Sequence, residues 1–202
     1  MVNVDKTYVI MSTIAVTLNE PSKPVSIDQK AMEAVLARPL AIGQSLEGLV
    51  ITSQRDQIEV VLNPNRINVR DLSGKATFRQ SRIPSVLGFF MQLLATDLLS
   101  YGINFLITVP CSEPRQWITD KILNPLISEK TGKRLIGGAA SLRISSEPKV
   151  WNIKLDPTEE QTIQLDVNAS EQVKKLPDQS RLCEELQEQF DALLGFLTSL
   201  GL

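Results

Sequence analysis

The 202-residue chain contains no histidine. That removes Ser-His-Asp and Cys-His catalysis, imidazole metal ligation and the usual general base near neutral pH. Cysteine is scarce: Cys111 and Cys183 stand far apart and no Cys-x-x-Cys occurs. A four-ligand zinc centre is therefore not expected, and both thiols are expected free in a reducing cytoplasm. No long hydrophobic run exists. The longest apolar stretch, 86–95, is broken by Gly88 and Gln92 and stops at Thr96-Asp97, too short to span a bilayer. Asp5 and Lys6 stand where the apolar part of a secretory signal would begin. The sequon Asn168-Ala169-Ser170 carries no weight without such a signal. No cofactor and no metal are expected, and a cytoplasmic location is.

Two segments approach chemical motifs and miss. Gly43-Gln44-Ser45-Leu46-Glu47-Gly48 looks like a nucleophile elbow but has one residue too many before its second glycine, and no histidine partner. Thr131-Gly132-Lys133-Arg134 looks like a phosphate loop, yet Ile127 stands where that loop needs glycine, and Arg134 where it needs Ser or Thr. Gly137-Gly138 reads as a strand bulge. Carboxylate chemistry stays open in sequence, because Asp71, Asp97 or Glu113 could meet another acid in space.

What is present is an ordinary globular composition, 43% hydrophobic and 22% charged, with a net charge of −2. The charge is uneven. From Asp156 onward there are three basic residues against ten acidic ones, while the first 155 residues are net basic. Such asymmetry favours association with a partner or with a second copy.

The chain also echoes itself at an offset of 93 residues. Tyr8 falls on Tyr101, Ile10 on Ile103, Ile14 on Ile107, Val16 on Val109, Glu20-Pro21 on Glu113-Pro114, Leu62 on Leu155, Pro64 on Pro157 and Pro84 on Pro177. Of 109 residue pairs 16 are identical, against about 6% expected from composition, and no gap is needed. Of the five prolines Pro21, Pro24, Pro39, Pro64 and Pro84, three land on proline. Proline fixes φ and removes a donor, so it marks where elements stop. The period is too long for a solenoid unit. It indicates two fused copies of one unit, 1–101 and 102–202, in one compact pseudo-twofold body.

The local patterns predict the elements. Residues 7–18 alternate, with Tyr8, Ile10, Ile14, Val16 and Leu18 on one face, as in a half-buried strand. Ser26 can cap a helix over 27–37. Gly43 begins a loop. Strands follow at 46–53, 57–62, 66–72 and 75–80, separated by Gln54-Arg55-Asp56, Asn63-Pro64-Asn65 and Ser73-Gly74. Pro84 opens a long helix to about residue 100, apolar on most sides. The second unit predicts strands at 102–109, 134–145, 150–155 and 161–167, a short helix at 118–124 and a last helix at 180–200. That last helix carries a Leu/Phe stripe, with Glu184, Glu185, Glu188 and Asp191 mainly off it. The expected class is α+β: two tandem strand–helix–strands–helix units forming a curved antiparallel sheet with helices on one side.

Two such copies resemble the duplicated saddle fold of TATA-binding proteins. The resemblance is architectural and covers nearly the whole chain. It implies helices over the convex side of one joined sheet and an open concave face. By strand parity, Ile58, Val60, Leu62, Ile67, Val69, Trp151, Ile153, Leu155, Ile163, Leu165 and Val167 face the helices. Glu59, Val61, Asn68, Arg70, Asn104, Leu106, Asn152, Lys154, Gln164 and Asp166 face the other way. A DNA saddle needs apolar wedges and a basic rim, and this set is mixed polar with acids. The basic cluster Arg66, Arg70, Lys75, Arg79 and Arg82 speaks for nucleic acid, but Asp71 dilutes it.

These features predict a non-catalytic cytoplasmic binding or assembly protein. It would recognise a protein partner or small ligand through the polar face, with Asn68, Arg70, Asn104, Asn152, Lys154 and Asp166 as binding residues and self-association expected. The competing reading is an enzyme using Lys154, Asp166 and Asp97 in a cleft between the units. A nucleic-acid-binding saddle is third.

Overall fold

A computed structural model describes residues 6–21, 29–94, 97–124 and 138–201. In chain order the strands are β1 (Tyr8–Leu18), β2 (Leu40–Ser45), β3 (Gly48–Ser53), β4 (Ile58–Asn63), β5 (Arg66–Asp71), β6 (Leu98–Pro110), β7 (Ala140–Ser146), β8 (Lys149–Pro157) and β9 (Thr162–Gln172). The helices are α1 (Gln29–Met32), α2 (Ile83–Leu94), α3 (Pro114–Ile118), which runs on into a π-helical turn at Thr119–Leu123, and α4 (Gln179–Ser199). Among the described residues, all nine strands form one open antiparallel sheet, ordered β2-β3-β4-β5-β1-β6-β9-β8-β7. The fold is α+β.

The two long strands β1 and β6 form the centre of the sheet, with Ile14 opposite Ile103. One wing runs outward from β1 through β5, β4, β3 and β2, the other from β6 through β9, β8 and β7. The core lies between one sheet face and the helices. Ile14, Val16, Ile67, Val69, Ile103, Phe105, Leu165 and Val167 are fully buried against Val86, Leu87 and Phe90 of α2 and Leu186, Leu193 and Leu197 of α4. Phe78, Phe105 and Phe190 form a three-ring cluster, with centroids 5.3–5.5 Å apart, that ties a loop, β6 and α4 together. Asp178 caps α4, its side chain accepting from Arg181 N at 2.8 Å.

Several sequence expectations need correction. The parity of β1 does not run through to its start. Ile10 is skipped in the pairing with β6, and ahead of that bulge Val9 is buried while Tyr8 and Ile10 are exposed. One extra residue moves every preceding side chain to the other face. The predicted loop at Gly43 is the middle of β2, and the predicted strand 46–53 is the second arm of a β2–β3 hairpin with Leu46-Glu47 at its tip. The expected strand at 75–80 is irregular, anchored by buried Phe78, whose N–H donates to Gln187 Oε1 at 3.0 Å. Helix α2 stops at Leu94 rather than near residue 100, and Leu98 already belongs to β6. Leu98 and Leu99 suit a helix locally, but two neighbouring strands claim the segment, and pairing outweighs propensity. Residues 101 and 102 are both part of β6. Helix α1 is shorter than predicted, while Ser26, Thr131-Gly132-Lys133-Arg134 and Gly137 lie outside the described residues.

Candidate ligand-binding face

Strand register decides which side chains share the face away from the helices. In β1, Thr13 stands between Arg70 of β5 and Asn104 of β6; Asn104 stands opposite Asn168 of β9, which is opposite Asn152 of β8. With Glu59 opposite Arg70, one row crosses the sheet as Glu59, Arg70, Thr13, Asn104, Asn168 and Asn152. One step to one side lie Asn68 and Ala15, and to the other Leu106, Asp166 and Lys154. All six residues expected from sequence thus lie on this face.

Asn68, Arg70, Asn104 and Asp166 line a common concavity of about 540 Å³, with Thr13 and Arg66. Asn152 and Lys154 stay outside it on β8, where Lys154 Nζ pairs with Asp156 at 2.6 Å. The wall of the concavity is the hairpin tip. Gly48 has φ +131°, and a Cβ there would sit 2.2 Å from the Leu62 carbonyl oxygen. Only glycine allows that approach. The Glu47 N–H donates to Ser45 Oγ at 3.1 Å, which fixes the turn. Glu47 then reaches across the open face to Arg70.

Arg70 donates from Nη1 to Glu59 Oε1 at 2.8 Å and from Nη2 to Glu47 Oε2 at 2.6 Å. Partial burial works against its charge as the largest single effect, yet the two carboxylates together raise its pKa above the ordinary arginine value. Asn168 Nδ2 donates to Asn104 Oδ1. Thr13 is 4% exposed, and among the described residues its hydroxyl has no hydrogen-bond partner. A buried hydroxyl without a partner is uncommon, and this one belongs to the lining of the polar concavity.

The other chemical clusters do not build a comparable site. Lys154, Asp166 and Asp97 do not converge: Asp97 is exposed and precedes β6, while Asp166 stands opposite Leu106, about 30 Å further along the sheet. The five basic residues disperse. Arg70 is paired to acids, Arg82 bonds Asp56 at 2.5 Å, and Arg79 lines a groove beside α4. That groove, about 660 Å³, is larger than the open-face concavity. Several of its polar groups bond to the protein itself, as Gln187 does to Phe78 N and Asp191, and Glu184 and Glu188 do to Arg181.

Glu185 is the buried acid that sequence reasoning missed by placing it off the α4 stripe; it is 7% exposed. It accepts from Tyr101 Oη at 2.5 Å and pairs with Lys149 at 3.0 Å and Arg181 at 3.2 Å. Burial pushes its pKa up, but these three donors outweigh that and hold it below the usual range. Every partner is a protein group, so the cluster anchors α4 to the sheet. Among the described residues no group of His, Cys, Asp or Glu could hold a metal ion. No described helix is long and apolar enough to cross a membrane.

Thr13, Asn168, Arg66 and Glu47 were absent from the sequence-derived site. Asn168 was legible, since it shares strand parity with Asp166. Glu47 was not, because its place depends on how the hairpin bends. No protein-family model matches this chain, and no curated protein matches it in sequence.

Proposed function

We propose that this protein is a non-catalytic cytoplasmic binding or assembly protein that recognises a protein partner or small ligand through the open polar face of its sheet. The observation that carries this reading is the concavity floored by Thr13, Asn68 and Asn104, with Arg70 at its edge and the Thr13 hydroxyl unpartnered. Concave sites with a few convergent polar groups are where ligands bind. Self-association belongs to the same reading. Strand β2 is a sheet edge without charged residues, and Ile42 on it is half exposed, so a second copy or an extended segment can pair there.

The architecture reads as two tandem units in the manner of the TATA-binding-protein saddle. The mirrored order of the two wings about β1 and β6 supports this. The 93-residue offset lays β3 on β7 and β4 on β8 but fails at the next turn. Two residues separate β4 from β5, and four separate β8 from β9.

The test is affinity capture from the native host with the wild-type protein and an Asn68→Ala/Asn104→Ala variant, together with light scattering of wild type and Ile42→Lys. A partner or ligand held by wild type and lost from the double variant supports the reading, as does an oligomer that Ile42→Lys dissociates. A strict monomer that captures nothing sinks it.

A further inference from the structure

We infer that Glu47 occupies on Arg70 the place of a ligand carboxylate, so that the open-face site takes an acidic ligand when the hairpin tip lifts. This rests on the binding reading above and names its ligand class.

The two acids on Arg70 are held differently. Glu59 is fixed on the neighbouring strand and its side chain is 22% exposed. Glu47 sits on the hairpin tip, its side chain is 60% exposed, and its neighbour Leu46 is fully exposed. An exposed ion pair of this kind is worth about 0.2–1 kcal/mol, so a carboxylate arriving with further contacts displaces it. Arg70 Nη2 is then free to donate while Nη1 stays on Glu59, which keeps the guanidinium oriented. The further contacts are in place. The Thr13 hydroxyl lacks a partner, the amides of Asn68 and Asn104 line the same concavity, and Arg66 supplies a second cation that forms no ion pair with a described residue.

Asp166 at the far end of the concavity and Glu59 beside Arg70 limit the ligand's charge. They oppose polyanions such as nucleic acids and admit a ligand with one acidic group and a neutral or cationic remainder. The shared chemistry is a single carboxylate, carried either by a Glu or Asp side chain of a peptide or by a small free acid.

Isothermal titration of the full-length protein with the capped peptide acetyl-Gly-Glu-Gly-amide, and separately with butyrate, which carries a single carboxylate, tests this. Wild type, Glu47→Gln, Arg70→Gln and Lys175→Gln are compared, each checked for native circular dichroism, with Arg66→Gln replacing Arg70→Gln if the latter misfolds. Removing the competing acid is expected to tighten binding roughly fivefold in Glu47→Gln, the equivalent of about 1 kcal/mol. Binding is expected to vanish in Arg70→Gln, weaken in Arg66→Gln and stay unchanged in Lys175→Gln, an exposed residue that does not line the concavity. Peptide binding without butyrate binding assigns the carboxylate to a peptide, and comparable binding of both assigns it to a free acid. Unchanged affinity in Glu47→Gln overturns the inference, as does binding that survives Arg70→Gln, or no binding of either probe to Glu47→Gln at millimolar concentration. If the probes fail while the Asn68→Ala/Asn104→Ala variant still loses its captured partner, the carboxylate inference falls and the binding face stands.

Discussion

Glu185 and Tyr101 set the pH limits of the fold at the scale of single residues. Glu185 is held below the ordinary carboxylate range in the folded state, so as pH falls the unfolded chain takes up its proton first. Its contribution is complete above about pH 4.3 and is lost as pH falls through the depressed folded-state value. Tyr101 behaves oppositely. Burial first, and then its bond to Glu185, push it far above the ordinary tyrosine range. Its contribution is present below about pH 10 and drains away as pH rises beyond that. Alkaline unfolding followed by the phenolate absorbance is therefore expected to show Tyr101 ionising only with loss of the fold. Tyr101→Phe is expected to cost about 1–3 kcal/mol in urea unfolding, because it removes a hydrogen bond to a buried charge. Thr13→Val should do the reverse. It replaces a buried, unpartnered hydroxyl by a methyl of the same shape and is expected to stabilise the free protein by about 1 kcal/mol while weakening the ligand.

At the scale of elements, the hairpin β2–β3 is what turns a flat strand face into a concavity. Its bend depends on Gly48, whose missing Cβ lets the chain pass the Leu62 carbonyl. Gly48→Ala is expected to destabilise the protein by more than about 1 kcal/mol and to release Glu47 from Arg70, so that affinity for the acidic peptide moves toward that of Glu47→Gln. Calorimetric titration alongside urea unfolding reads both effects. Strand existence was legible in sequence wherever alternation was clean, as in β4, β5, β8 and β9, and parity put Asn68, Arg70, Asn104 and Asp166 on the correct side. It failed at the start of β1, where the bulge at Ile10 reverses the pattern, and at the end of α2, where Leu98 and Leu99 fit either period. Both failures have one cause: a neighbouring strand, remote in sequence, decided the outcome.

For the whole molecule, the pairing of β1 with β6 makes one sheet of two halves, and the three-ring cluster fastens α4 and the loop carrying Phe78 to it. Phe105, on β6, touches both Phe78 from the first half and Phe190 from α4. Phe105→Ala is expected to cost about 3–5 kcal/mol and to unfold the protein in a single transition seen equally by near-ultraviolet and far-ultraviolet circular dichroism. Separate transitions for the two halves would mean that the sheet does not couple them. The sequence by itself determined the α+β class, most strands, the polar character of one sheet face and the absence of histidine chemistry, because these follow from composition and from the two-residue period of a strand. Only the tertiary structure decided that Glu47 meets Arg70, that Glu185 is buried among cations and that Thr13 lies unpartnered on the floor. Apart from the i,i+4 pair Arg181–Glu185, those contacts join residues 23, 36 and 84 positions apart, or leave one group without a partner, and no local pattern encodes either.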